Sequence, residues 1–368
     1  MHIENLYLVN FKNYRQTKID FSNYINALVG DNGSGKTNLL DAIYILSMTK
    51  SAFNATDQQC ILHDESYYSI IGKFQLKEKD TSVANSLQLG KRKKITINKN
   101  KVDKAADIIG MLPTVMIAPN DHSLITDGSE TRRKFFDSII CQLDKDYLLQ
   151  LLDYNHALKQ RNKLLKQFAE SGNVNHDLLE PYDEIILKLA KSISTTRAAF
   201  CSNYLEKIIR HYRFLTEGKE EINLIYQTQL SEPDPELLLQ RSLQKDLALQ
   251  RTTVGTHRDE YLFEMDSYPL KKFGSQGQQK SFLIALKLAQ FDLLQEDKGF
   301  KPILLLDDIF DKLDDQRIQK LTEMIEHHEF GQVFITDARP ERSRHFLEKL
   351  NIEWKAILVE NGNLSVQK

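Results

Sequence analysis

Apolar and polar positions alternate over residues 3–11, and a short apolar run at 25–29 ends in glycine. Both patterns predict strands. From 36 to 48 the spacing changes, with Leu39, Leu40, Ile43, Tyr44 and Leu46 recurring at helical intervals. Strand texture returns at 69–76 and 87–98 among charged turns, and the apolar run 114–118 stops at Pro119. Between about 131 and 212, Gly and Pro are scarce and leucine-rich helical patterns carry many charges. This predicts an insertion of several helices. A short strand at 221–226 and a helix over 235–250 follow. Beyond Gly255 strand and helix alternate again: a long helix at 276–295, a buried strand at 303–306, a helix at 314–327, a strand at 333–336 and a helix at 340–350.

The order is α/β, then helical, then α/β. It predicts one discontinuous nucleotide-binding core, residues 1–118 with 251–368, interrupted by a helical lobe at 119–250. Neither an internal repeat nor a long heptad run is present.

Composition narrows the class. The 368 residues are 41% hydrophobic and 27% charged, ordinary for a globular protein able to bury its own core. Lys+Arg (49) nearly balances Asp+Glu (51), which excludes a uniformly basic coat but leaves room for a local basic patch. Cys60, Cys141 and Cys201 are far apart and form no C-x-x-C pair, arguing for a reducing compartment and against a zinc site. Without a long apolar run or a signal-like start, the expectation is a cytoplasmic protein with no membrane partner.

The strongest chemical signal is Gly30-Asp31-Asn32-Gly33-Ser34-Gly35-Lys36-Thr37, which fits G-x-x-x-x-G-K-[ST] between a predicted strand and helix. Glycines let the backbone curl so that its N–H groups face phosphates, Lys36 reaches the β- and γ-phosphates, and Thr37 offers a hydroxyl to Mg2+. The apolar strand 303–306 ends in Asp307 and Asp308. Strand C-termini of a parallel sheet face the ligand crevice, so Asp307 is placed to order Mg2+ and Asp308 to orient the attacking water. The bland alternative is that Asp308 simply caps the following turn; pairing with the P-loop strengthens the metal-site reading. Lys36 and Asp307 are 271 positions apart, which favours a core split by a large insertion. Before the long helix, Ser275, Gln276, Gly277 and Gln278 form a second candidate phosphate device. Ordinary helix capping by Ser275 explains the same residues as well.

Together the P-loop, this serine-glycine-glutamine stretch, the Asp307-Asp308 strand end and Asp311-Lys312-Leu313-Asp314 resemble the motif set of ABC-type ATPases. The order and spacing, with Asn10 to Tyr14, Arg132-Arg133, Gln160-Arg161-Asn162 and Gly255 to Asp259, resemble the RecF family within the RecF/SMC group. The resemblance implies an ABC-type α/β core, mixed in its sheets and with an antiparallel β subdomain, plus a helical second lobe. It implies a weak, DNA-stimulated ATPase that dimerises with ATP and Mg2+. Such a dimer binds duplex DNA near single-strand gaps and works with RecR and RecO to load RecA. By resemblance, Gly30 to Thr37 with Asn38 and Lys12 contact nucleotide, Ser275 to Gln278 act across the dimer, and Asp311, Leu313 and Asp314 form the D-loop. Asp308 stands where these ATPases commonly have Glu, and Asp337 where many place a histidine, which implies slow, switch-like hydrolysis.

Two basic clusters are candidate DNA contacts: Lys91, Arg92, Lys93 and Lys94 on a predicted hairpin, and Lys159, Arg161 and Lys163, with Lys166, on a predicted helix. A solvated charged face accounts for such runs equally well. A transporter nucleotide-binding subunit and a small-molecule kinase are the rival readings. The first needs a membrane partner, and the second has no use for Phe273 to Lys280 as a signature.

Overall fold

The computed structural model describes residues 1–218, 220–231, 234–311, 315–350 and 352–367. The chain divides into two compact units: Met1–Asp121 with Leu286–Lys368, and His122–Ala285.

The first unit contains two six-stranded sheets. In chain order its elements are β1 (His2–Phe11), β2 (Tyr14–Asp20), β3 (Ile25–Val29), α1 (Lys36–Met48), β4 (Tyr67–Leu76), β5 (Lys79–Gln88), β6 (Lys94–Ile97), β7 (Asn100–Val102) and β8 (Thr114–Ile117). After the second unit come β12 (Ile303–Leu306), α9 (Asp315–Glu326), β13 (Val333–Asp337), α10 (Pro340–Leu347), β14 (Trp354–Glu360) and β15 (Asn363–Val366). One sheet, ordered β2-β1-β4-β5-β6-β7, is antiparallel throughout. The other, ordered β15-β14-β3-β13-β12-β8, is parallel except for the β15 edge.

Strands β3, β8, β12 and β13 are buried at every residue, and their mostly apolar sequences suit a sheet covered on both faces. Helix α1 packs on strands of both sheets, and Leu39, Leu40, Ile43 and Leu46 join Leu6, Leu8, Phe334 and Ile357 in one core. The register sets Val29 beside Asp337, and Leu306 beside both Ile335 and Ile117. Thus the carboxyl ends of β3, β12 and β13 lie side by side, where an α/β sheet binds its ligand. A register break in β1 between Ile3 and Asn5 leaves backbone groups that the ladder does not serve. The buried Gln332 side chain serves Ile3, accepting from its N–H at 2.8 Å and donating to its carbonyl at 2.9 Å, and also donates to the Ser22 carbonyl beyond β2 at 2.7 Å.

The second unit holds α2 (Ser123–Thr126), α3 (Ser129–Leu143), α4 (Lys145–Ser171), α5 (Glu180–Thr216), β9 (Ile222–Gln227), α6 (Pro235–Leu249), β10 (Glu260–Met265), β11 (Tyr268–Pro269), α7 (Leu270–Phe273) and the start of α8 (Gln276–Lys298). Phe136 of α3 stacks on Tyr261 of β10 at 4.0 Å between ring centres and meets Tyr204 of α5 edge-on. Two buried arginines tie the helices together. Arg161 of α4 pairs with Asp183 of α5 and Asp246 of α6. Arg197 of α5 pairs with Asp137 of α3 and with Asp259.

Two expectations differ from what is found. The strand expected at 87–98 is the end of β5 and the whole of β6, separated by a turn in which Gly90 takes a φ of 73°. The compact division places 251–285 with the helical unit, whereas the sequence pattern places these residues with the core. The reason is that β10 pairs along its length with β9, and β11 with β10.

Candidate functional site

The loop from β3 to α1 is shaped by residues that only its glycines allow. Gly30 has a φ of 147°, and a Cβ there would sit 2.2 Å from the Val359 carbonyl oxygen. Gly35 has a φ of 118°, and a Cβ would meet Asn13 Nδ2 at 2.4 Å. The β1–β2 turn holds the loop's carbonyls. Asn13 Nδ2 donates to Ser34 O and Tyr14 Oη to Gly35 O, both at 2.9 Å, while Asn38 Nδ2 donates to Asn13 Oδ1 at 2.8 Å. With these carbonyls occupied and the first amides of α1 without helical partners, the loop presents donors to an anion. The buried Ser34 hydroxyl has no partner among the described residues.

Lys36 is 7% exposed, and its ammonium donates to the carbonyls of Gly30 (2.7 Å) and Asp31 (2.8 Å). Burial pulls its pKa below the usual lysine value, against the opposing pull of the Asp308, Asp307, Asp337 and Asp31 carboxylates. Asp307, 6% exposed, accepts from Thr37 Oγ1 at 2.8 Å and from Thr336 Oγ1 at 2.9 Å. Burial raises its pKa, with the neighbouring Asp308 adding to that effect; the two hydroxyl donors and Lys36 oppose it. The Asp308 N–H donates to Thr336 Oγ1 at 2.8 Å, and Asp308 adopts a left-handed φ of 49°. The hydroxyl of Thr336 thus joins the two carboxylate positions.

Thr37 Oγ1 and the buried Asp307 carboxylate, 2.8 Å apart, form a pair of hard oxygens. This suits Mg2+, which takes one or two protein oxygens and completes its shell with phosphates and water. Asp337 accepts from Arg339 N (3.0 Å), Arg342 Nη2 (2.5 Å) and Ser343 Oγ (2.6 Å). Its carboxylate is committed to the start of α10.

The second candidate device lies in the other unit. Ser275 N–H donates to Gln278 Oε1 (2.8 Å) and Gln278 N–H donates to Ser275 Oγ (3.2 Å), a reciprocal cap on α8. Ser275 and Gln276 are exposed, and Gln278 also donates to Glu220 at 2.9 Å. Asp311 closes the short turn Ile309–Asp311. Leu313 and Asp314, expected in the D-loop, lie outside the described residues.

A family model described as the RecF/RecN/SMC N terminal domain matches residues 2–353. A curated relative from Flavobacterium johnsoniae, named DNA replication and repair protein RecF, is 45% identical over 355 residues, covering 96% of this chain and 99% of its own. The chain belongs to the RecF family. A relative of the same name from Cytophaga hutchinsonii is 43% identical over 99% of this chain and 96% of its own. A solved structure described as the recombination mediator protein RecF-ATP in the RecFOR pathway is similar with a TM-score of 0.90 at 28% identity, covering 100% of this chain and 98% of that one. An SMC head domain derived from Pyrococcus furiosus shares the fold, with a TM-score of 0.56 at 18% identity. The expected ABC-type α/β class therefore holds.

Among the remaining RecF-family candidates, the structure separates free cations from used ones. Lys12 Nζ pairs with fully buried Asp41 at 2.6 Å, so its charge serves α1. Lys93 pairs with Asp57 at 2.6 Å and donates to Thr49 O, while Lys91, Arg92 and Lys94 are exposed. Arg161 corrects the reading of the second cluster. It has no exposed surface and is bound to Asp183 (2.5 Å), Asp246 (2.6 Å) and Thr252 (2.9 Å), because a charge taken inside must be paired. Lys159 and Lys163 remain exposed. The motif reading gave no role to Asn13, Tyr14 or Thr336, although each holds the site. Their only signal is position: a turn after the first strand, and a hydroxyl at the end of the strand beside Asp307.

Proposed function

We propose that this RecF-family chain is an ATP-dependent DNA-binding protein of replication and recombinational repair. ATP and Mg2+ drive its dimerisation, the dimer holds duplex DNA near single-strand gaps, and it cooperates with RecR and RecO in loading RecA. The observation that carries the reading is the meeting of Thr37 with Asp307 at 2.8 Å beside the buried Lys36 ammonium. Support comes from relatives named for DNA replication and repair and from the similar structure described with ATP.

The chemistry is transfer of the γ-phosphoryl group to water, achieved by positioning and electrostatics. The amides of Gly30 to Thr37 and the Lys36 ammonium hold the phosphates, with Asn38 bracing the loop. Thr37 and Asp307 hold Mg2+, which neutralises developing phosphate charge when bound. Asp308 orients the water. In the dimer, Ser275 to Gln278 of the partner protomer cover the γ-phosphate. Hydrolysis is slow and switch-like: Asp308 is one methylene shorter than glutamate, and Asp337 is engaged by Arg342 and Ser343.

Molecular mass in solution, with and without ATP and Mg2+, tests the proposal. Wild type is expected to dimerise only with nucleotide, Lys36→Met to bind none, and Ser275→Arg to bind nucleotide as a monomer. An ATP-dependent dimer of Ser275→Arg overturns the role of that serine across the dimer.

A further inference from the structure

The helical unit carries two adjoining cavities whose walls are rich in cations. One, of about 540 Å3, is lined along α4 by Asn155, Lys159, Asn162, Lys163 and Lys166. The spacing from 155 through 159 and 162 to 166 keeps these residues on one helical stripe. The other, of about 370 Å3, shares Asn155 and Asn162 and adds Arg133, Arg251 and Arg258. Among the described residues, none of these six basic side chains has a carboxylate within ion-pair distance. The acids lining the second cavity are already used: Glu130 by Lys134 at 2.7 Å, and Asp137 by Arg197 at 2.9 Å.

An ordinary solvated face accounts poorly for this arrangement. The whole chain carries a net charge of -2, so six cations without ion-pair partners along two adjoining hollows are a local excess. Arg133 is half-buried, donates among the described residues to the Asp259 carbonyl, and stands near the buried Arg197. Burial and Arg197 pull its pKa below the usual arginine value, against the opposing pull of the Asp259, Glu130 and Glu260 carboxylates. The surface is also stiff. Thr252 N–H and Oγ1 donate to Asn162 Oδ1 at 2.7 and 2.8 Å, and Arg258 donates to the Thr252 carbonyl at 3.1 Å. A row of cations without ion-pair partners, with amide side chains between them, suits a chain of phosphodiesters better than one small anion.

We infer that Lys159, Lys163 and Lys166 with Arg133, Arg251 and Arg258 form a continuous track for the phosphate backbone of duplex DNA. The inference rests on the DNA-binding reading above and locates its contact surface. It replaces the linear cluster read from the sequence, removing Arg161 and adding three arginines from distant positions. Contacts of this kind are sequence-independent and weaken with salt.

The test uses the full chain and a fluorescein-labelled duplex, with binding followed by anisotropy over a salt series. The variants are Lys163→Gln with Lys166→Gln, Arg251→Gln with Arg258→Gln, and, for comparison, Lys91→Gln with Arg92→Gln. All six positions are exposed, and a fluorescent ATP analogue checks that each protein still binds nucleotide. Each of the first two pairs is expected to weaken duplex binding about tenfold and to lower the slope of log affinity against log salt by about 2, near 0.9 for each lost phosphate contact. Wild-type binding with unchanged affinity and slope in both pairs overturns the track while leaving the DNA-binding reading in place. Loss only in the Lys91 and Arg92 variant also overturns it and moves the contact to the other unit. A wild-type protein that binds no duplex overturns the DNA-binding reading itself, and the track with it. Competition by inorganic pyrophosphate equal to that by unlabelled duplex, per phosphate, overturns the polymer in favour of a small phosphate ligand.

Discussion

Thr336→Val removes a single hydroxyl and keeps the shape of a side chain that is 1% exposed. That hydroxyl accepts from Asp308 N–H and donates to Asp307 Oδ1. Its loss leaves a partly buried N–H unpaired, costing about 1–3 kcal/mol, and removes a bond to a carboxylate, about 1.5–3 kcal/mol. Allowing for water at the half-buried Asp308, the expected loss is about 3 kcal/mol, on the order of 6–12 °C in melting temperature for a unit of this size. The pH dependence separates the two parts. Burial already raises the Asp307 pKa, and removing a donor to its ionised form raises it further. A carboxyl whose folded pKa exceeds its unfolded value supports the fold at low pH, and that support is lost as pH rises through the folded pKa. The deficit of Thr336→Val should therefore be largest at neutral and alkaline pH and shrink in acid. On the proposed role of Asp307 in holding Mg2+, binding of Mg2+ and ATP should weaken at a higher pH than in wild type as the solution is acidified. Thr336→Ser keeps the hydroxyl and should restore both. Melting curves from pH 8 downward and nucleotide titrations over the same range supply the readout. A valine deficit of one size at every pH, or a serine variant as impaired as valine, refutes the reasoning.

Arg161→Met leaves the fully buried Asp246 without its cation and should cost about 3–5 kcal/mol, read by denaturant unfolding. A loss under 1 kcal/mol would show that the charge matters little to the lobe. Burial holds the His257 pKa down to about 4, from an ordinary 6.5. Its contribution is complete above pH 6.5 and is lost towards pH 4, by up to about 3 kcal/mol. His257→Gln should flatten that slope, and an unchanged slope would assign it to other groups. Gly35→Ala places a Cβ at a φ of 118° against Asn13 and should cost at least about 1–2 kcal/mol while weakening nucleotide binding. Unaltered nucleotide affinity there would contradict the geometry described for the loop.

The parts legible from the sequence are those that local chemistry specifies. Glycines at 30 and 35 announce a backbone that other residues cannot adopt, and the apolar runs at 25–29, 303–306 and 333–336 announce strands buried on both faces. Serine 275 with glutamine 278 announces a helix cap. Because the turn, the cap and the strand are each completed within a few residues, their signals lie within a few residues too. Thr336 had no such signal, since its meaning depends on β12 lying beside β13 with Leu306 level with Ile335. The cations show the same division. Arg161 and Lys163 look alike in the chain, yet one is sealed against Asp183 and Asp246 and the other faces water. Helical spacing could tell which face each occupies, but not that acids from α5 and α6 would close over one of those faces. Whether a charge is a structural tie or a free contact depends on partners dozens of positions away, and only the packed structure brings those partners within reach.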